Sequence, residues 1–396
     1  MLSCVGRAAS ACWRPVRRYA RMNKDKNDSD RPSSRDVNWK PSDSDFSDPL
    51  VWSRDLEHLS FGELSFAVVQ ANEVLEDHSL VDAADGATFV GVFDGHGGPD
   101  AAKFVRDHLF LNLMRIARES GTISEDVIQR AYAATEEGFL TLVRRTCVIK
   151  PLIAAMGSCC LVGVIWRGTL YVGNVGDSRA VLGTLSRSDK LVAEQLTKEH
   201  NAGMEEVRQE LRSLHPDDSQ IVVMKHGVWR VKGIIQVSRS IGDAYLKRPE
   251  FSLDPSFPRF HLAEPLHRPV LTAEPTLCSR ILSTEDKFVI FASDGLWEHI
   301  SNQQAVEIVH NTPRAGIARR LVKVALNEVA RKREMSFTDL KKVEKGTRRY
   351  FHDDITVVVL FLDHENQEEK ECAPELSLRG FVDSVGPSRF DIFLRK

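Results

Sequence analysis

Long apolar runs are missing from this 396-residue chain: no stretch approaches 18 consecutive apolar residues, so no transmembrane segment is expected. An excess of one charge is missing too. The chain has 53 Lys and Arg against 56 Asp and Glu, a formal net charge of −3, which gives no general pull toward nucleic acid or membrane. Its seven cysteines are odd in number and irregularly spaced, with no CxxC pair, and Cys159 and Cys160 are adjacent within an apolar run. That argues against a disulfide framework and fits a reducing, intracellular compartment. HExxH, paired Cys/His spacing and GxxxxGK[ST] are all absent, which disfavours zinc hydrolysis and a P-loop nucleotide triphosphatase.

What is present is 42% hydrophobic and 28% charged residues, enough for a sizeable core. Residues 1–22 carry five arginines (Arg7, Arg14, Arg17, Arg18, Arg21) and no acid. They read either as a solvated basic tail or as an address to an organelle or to the plasma membrane surface. Residues 23–50 are rich in Ser, Asp, Pro and Lys and are expected to be flexible. Order is expected from near Phe61, giving a tail over 1–60, one catalytic domain over 61–363 and a C-terminal tail over 364–396. Strands are expected at 64–70, 88–93, 157–166, 169–175, 180–182, 234–237, 287–292 and 354–362. Helices are expected at 100–118, 124–145, 201–213, 301–310 and 314–333. Several strands run consecutively between 157 and 182, which favours antiparallel pairing. Residues 248–270 hold five prolines and read as an irregular surface excursion.

The most informative stretch is Ala87-Thr-Phe-Val-Gly-Val-Phe-Asp-Gly-His-Gly97. An apolar strand ends at Asp94, glycines follow, and Pro99 opens an amphipathic helix. Alone, this is equally an Asp-Gly turn or a ligand-binding one. Acidic residues recur at the other strand ends: Glu76 and Asp77, Asp177, Asp294, and Asp353 with Asp354. If those ends converge, the carboxylates repel one another unless cations neutralise them. Carboxylates with the Gly95 carbonyl are hard oxygen donors, suited to Mg²⁺ or Mn²⁺. Two such ions would activate a water and clamp phosphoryl oxygens, with His96 beside them to protonate a leaving oxygen.

Five segments, Phe93-Asp-Gly-His-Gly-Gly98, Gly176-Asp-Ser-Arg179, Val237-Ser-Arg-Ser-Ile-Gly-Asp243, Ala292-Ser-Asp-Gly-Leu-Trp297 and Asp353-Asp-Ile-Thr356, resemble the motifs of type 2C metal-dependent protein phosphatases. They occur in that family's order. Glu73-Val-Leu-Glu-Asp77, Trp229-Arg-Val-Lys-Gly-Ile-Ile235 and Arg331-Lys-Arg-Glu-Met335 resemble a plant subgroup. The resemblance implies an α+β fold, a central sandwich of two antiparallel β-sheets flanked by helices in four layers, α-β-β-α. It implies two Mg²⁺ or Mn²⁺ ions per subunit, bridged by Asp94 and held also by Gly95, Asp294 and Asp353. Glu76 and Asp77 resemble the pair that orders metal-bound waters, His96 the general acid, and Asp177 with Glu298 the partners of a third, weaker metal. Many relatives have Asp where this chain has Glu298. Many also have a phosphate-gripping arginine four residues before the Glu-Asp pair, where this chain has Asn72, which can donate a hydrogen bond but lacks the charge and fork.

The activity so implied is hydrolysis of phosphoserine or phosphothreonine in phosphoproteins by direct attack of a metal-activated water, in a monomer of the cytoplasm or nucleus that a regulatory protein could govern. A catalytically weak or inactive scaffold that binds phosphoproteins is the alternative, supported by Asn72 and Glu298. A phosphoesterase acting on nucleic acid or small metabolites is disfavoured, since no basic stripe is interleaved with aromatics. The basic stretch 341–349 reads as a solvated face near a substrate or partner groove. Cys12 and Arg18 have the C-x₅-R spacing of cysteine phosphatases, and Asp43-Ser-Asp45 mimics an aspartyl-phosphate motif, but both lie in polar or basic tail sequence.

Overall fold

Strands Ala87–Phe93, Cys160–Trp166 and Ile355–Phe361 are largely apolar runs because they are buried on both faces. In Cys160–Trp166, Leu161 and Ile165 turn toward one core, while Cys160, Val162, Val164 and Trp166 turn toward another. The computed structural model describes residues 48–84, 86–262, 264–363 and 375–390, and in them two six-stranded antiparallel sheets stack face to face. Spatial order in the first is β1 (Val51–Leu59), β2 (Gly62–Val69), β11 (Ile355–Phe361), β10 (Asp286–Ala292), β7 (Arg179–Leu185), β8 (Leu191–Gln195). In the second it is β9 (Thr276–Ile281), β6 (Thr169–Val175), β5 (Cys160–Trp166), β4 (Ala87–Phe93), β3 (His78–Ala84), β12 (Leu376–Arg379). Between them lie Leu64, Phe66, Phe291 and Val358 from one sheet and Val81, Val90, Val92 and Leu161 from the other. Opposite Phe291, β5 carries Gly163, where a Cβ would sit 2.4 Å from the ring.

Helices α1 (Asp100–Ser120) and α2 (Glu125–Thr146) cover the second sheet, packing Leu109, Phe110, Leu113 and Tyr132 on Phe89, Phe93 and Val162. The first helix stops at Gly121, whose left-handed φ of 70° favours glycine. The second starts at Ser124, whose hydroxyl accepts the Val127 N–H at 3.4 Å. Farther along α2, Phe139, Leu140 and Val143 enter a third core. That core also takes in α3 (Glu205–Leu214), the hairpin Val222–Lys225 and Val228–Val231, and Phe251, Leu266 and Val270. On the first sheet lie α4 (Asn302–Asn311) and α5 (Ile317–Lys332). Small residues Ser65 and Ala67 of β2 make room for α5, and Ser65 Oγ accepts the Ala318 N–H at 3.1 Å. The four layers are those of the expected α+β sandwich.

Some expectations change. The fold includes β1, before Phe61, and β12, inside the expected C-terminal tail. Both are edge strands, and charges such as Arg54, Asp55 and Glu57 mask β1 from a hydrophobic reading while guarding the edge. Residues 234–237 form no strand but make isolated bridges, Val231 to Ile235 and Val237 to Asn201. The proline-rich excursion 248–270 is irregular, yet Phe251, Leu266 and Val270 anchor it in the third core. Residues 1–22, Cys12, Arg18, Asp43 and Asp45 lie outside the described residues, as do 364–374 and 391–396. Among the described residues no helix is long and apolar enough to cross a membrane.

Candidate active site

Antiparallel pairing brings the acidic strand ends to one edge of the sandwich. His78 at the start of β3 pairs with Phe93 at the end of β4, and Cys160 at the start of β5 with Val175 at the end of β6. Ala292 at the end of β10 pairs with Val357 near the start of β11. Glu76 and Asp77 therefore precede β3, Asp94 follows β4, Asp177 follows β6, Asp294 follows β10 and Asp353 precedes β11, all at that edge. Asp294 opens the short helical turn Asp294–Trp297, and Glu298 caps its C-terminal end.

The cluster is costly as it stands. Burial, then the charges of Asp294, Asp77, Asp353 and Asp177, pushes the Asp94 carboxyl well above the ordinary carboxylate range. Asp294 is pushed well up by burial and by Asp177, Asp353 and Glu298. Burial and Asp354 do the same to Asp77, against the hydrogen bonds donated by Ser293 Oγ at 2.9 Å and Thr356 Oγ1 at 2.7 Å. Glu76, Glu298 and Asp353 are also raised, burial leading in each case. Asp294 Oδ1 is buried without a hydrogen-bond partner among the described residues. Oxygen donors, mutual repulsion and an orphaned carboxylate oxygen together fit a hard divalent cation such as Mg²⁺ or Mn²⁺.

Two further groups lie within the cluster. Ligand atoms of Asp94, Cys159 and Asp177 all fall within 4.8 Å of one another. Burial pushes the Cys159 thiol well up, so it stays protonated and donates to Asp177 Oδ1 at 3.3 Å, while Asn201 Nδ2 donates to Oδ2 at 2.6 Å. Asp354, next to Asp353 but 1% exposed, accepts the backbone N–H groups of Ala71 at 2.6 Å, Asn72 at 3.0 Å and Glu76 at 2.9 Å. One carboxylate thereby fixes the loop that carries Glu76 and Asp77. Gly95 lies so close to that loop that a Cβ would meet the Glu76 carbonyl at 2.5 Å.

His96 Nε2 is 2.7 Å from Asp243 Oδ2, which also accepts from Ser240 Oγ at 2.6 Å. Burial opposes the charged imidazole, but the Asp243 charge and hydrogen bond outweigh it and lift His96 above the ordinary histidine range. Gly157 leaves space for the pair: a Cβ there would meet Asp243 Oδ2 at 2.1 Å and His96 Nε2 at 2.3 Å. Sequence reasoning noticed the motif ending in Asp243 but gave that residue no part, because 147 residues separate it from His96. Asn72 turns its side chain inward, Nδ2 donating to Asp353 Oδ1 at 3.3 Å. The Arg349 guanidinium lies 2.6 Å from the other oxygen, Asp353 Oδ2.

A family model described as Protein phosphatase 2C matches residues 67–334. The chain is 66% identical over 394 residues to "Probable protein phosphatase 2C 25" of Oryza sativa subsp. japonica, covering 99% of each. It is 66% identical over 399 residues to "Probable protein phosphatase 2C 68" of Arabidopsis thaliana, covering 100% of each. Among solved structures, its fold is similar to that of the serine-threonine phosphatase 2C from Toxoplasma gondii. The TM-score there is 0.58 at 20% identity, over 79% of this chain and 99% of that one.

Proposed function

Because this chain belongs to the protein phosphatase 2C family and is a protein serine/threonine phosphatase, we propose that its acidic edge hydrolyses phosphoserine and phosphothreonine by direct attack of water at phosphorus. The observation that carries this is the convergence of Asp94, Asp294 and Asp353, with Asp294 Oδ1 buried and unpartnered. Asp94, the Gly95 carbonyl, Asp294 and Asp353 would hold two Mg²⁺ or Mn²⁺ ions, with Asp94 shared. When bound, such ions lower the pKa of a coordinated water and offset charge on phosphoryl oxygens.

The protein's own groups do the rest. Glu76 and Asp77 would accept hydrogen bonds from water at the edge, in a loop whose backbone Asp354 holds. Asp243 orients the His96 ring through Nε2, which leaves the Nδ1 proton of the imidazolium to give to the departing serine or threonine oxygen. Asp177 and Glu298 would flank a third, weaker cation. Phosphoproteins are the substrates, and a regulatory protein would be a further partner.

The test is turnover of a phosphothreonine peptide by purified protein in Mn²⁺. Activity is expected to vanish in EDTA and to fall at least about a hundredfold in Asp94→Asn. Metal-independent turnover, or an unaffected Asp94→Asn, would overturn the mechanism. Protein that binds Mn²⁺ yet fails on every phosphopeptide would be the inactive scaffold.

A further inference from the structure

Asn72 is a poor grip for a phosphate dianion: its amide is neutral, lacks a guanidinium's fork, and gives one of its two Nδ2 hydrogens to Asp353 Oδ1. The opposite oxygen of the same carboxylate is met by Arg349. The two side chains thus bracket Asp353, so the guanidinium reaches the neighbourhood of position 72 from a different part of the chain. Two contacts bring the segments together. Gly346 N–H donates to the Ala71 carbonyl at 2.7 Å, and Gly346 lies so close to Glu73 that a Cβ would sit 2.5 Å from Glu73 Oε2.

The backbone under Arg349 is clamped. Arg348, 0% exposed, pairs with Asp48 (Nη1 to Oδ1, 3.0 Å) and donates from Nε to His352 Nε2 at 2.8 Å. On the other side, the Tyr350 carbonyl accepts from Arg333 Nη2 at 3.1 Å. The Arg349 side chain, by contrast, is half exposed and overlooks Asp353, Asp294, Asp94 and Glu298. A rigid base with a solvent-facing guanidinium beside the reacting edge is what recognition of an incoming dianion needs, since the planar fork can donate two parallel hydrogen bonds to phosphate oxygens. Asp353 cannot give its full charge both to divalent ions and to a guanidinium. Were Asp353 to hold a divalent ion, its pull on the guanidinium would weaken and the fork would be free for phosphate oxygens.

We propose that Arg349 binds the substrate phosphate in this chain, doing from the segment before β11 what Asn72 cannot do from the loop before β3. This inference rests on the phosphatase reading above.

The experiment starts with wild-type protein in Mn²⁺ on a phosphothreonine peptide. No Mn²⁺-dependent turnover there would remove the reading, and this inference with it. Given turnover, Arg349→Ala is expected to raise KM about 10- to 100-fold, with kcat changed far less. The constant for product inhibition by inorganic phosphate should rise by a similar factor. Mn²⁺ binding, measured by calorimetry, should stay the same or tighten as Asp353 loses a competitor. Arg349→Lys should recover part of the loss, and Asn72→Arg in the Arg349→Ala background should recover more. Unchanged KM and phosphate inhibition, alongside tighter Mn²⁺ binding, would overturn the inference and leave Arg349 as a counter-ion of Asp353 only.

Discussion

At the scale of single residues, His200 supports the active edge without belonging to it. It is 1% exposed, its Nδ1 accepts the Gly176 N–H at 3.2 Å, and its backbone N–H donates to the Gly176 carbonyl at 2.9 Å, so it fixes the turn that carries Asp177. Burial, helped by the Arg239 charge, lowers its pKa to about 3, well below the ordinary value of 6.5. Between those values the unfolded chain binds the proton and the folded chain does not, so stability is complete above pH 6.5 and declines as pH falls toward 3. The loss is up to about 1.4 kcal/mol per pH unit from this group. His78, His299 and His352, each lowered to about 4, act with the same sign. In urea unfolding from pH 7 to 4, His200→Asn should show a shallower pH slope than wild type; equal slopes would refute the assignment. Nothing in the sequence marked His200, since a histidine's burial is set by packing from segments far apart.

At the scale of elements, α2 joins the sheet-facing core to the third core and reaches the catalytic edge through one side chain. Glu136, nearly buried, accepts the Gly242 N–H at 2.8 Å through Oε2 and Lys247 Nζ at 2.7 Å through Oε1. Lys247 in turn donates to the Ser240 carbonyl at 2.8 Å. Segment 240–247 is thus tied to α2, and with it Asp243 and the orientation of His96. Glu136→Gln should cost about 3–5 kcal/mol in urea unfolding, because Lys247 is left as an uncompensated buried cation. It should also lower kcat on a phosphothreonine peptide. Adding Lys247→Met should restore most of the stability but not kcat; stability unchanged in the single variant would contradict the buried pair. Long central elements such as β5, β6 and α2 were legible in sequence because two-sided burial or helical periodicity dominates their composition. The edge strands β1 and β12 were not, because edge position and charge erase that signal. The acidic strand ends were legible for a related reason: a carboxylate terminating an apolar run is visible one strand at a time. Asp243 meets His96 across 147 residues, a pairing that only the fold reveals, and Arg349 was legible only as part of a basic run.

At the scale of the whole molecule, the acidic edge works against the sandwich that builds it. Asp77, Asp94 and Asp294 hold protons more tightly folded than unfolded, so metal-free protein loses stability as pH rises above the ordinary carboxylate range. A bound divalent ion removes that penalty and binds better as those groups deprotonate. Mn²⁺ should therefore raise Tm relative to EDTA, by several degrees once the free ion is a hundredfold above Kd, where linkage supplies about 2.7 kcal/mol. The gap should widen from pH 5 to pH 8 in differential scanning calorimetry; a gap that narrows, or none, would mean the edge does not hold the ion. Asp353 and Asp354 carry a consequence of another kind. Adjacent residues in extended chain face opposite ways, and here one side chain meets Asn72 and Arg349 while the next bolts down the loop before β3. Inserting a single residue between this pair and β11 would carry Asp354 to the outward-facing place of Asp353 and leave the loop before β3 without its bolt. Over evolutionary time this junction should therefore keep its length, whereas loops such as the one joining β7 to β8 are free to grow or shrink.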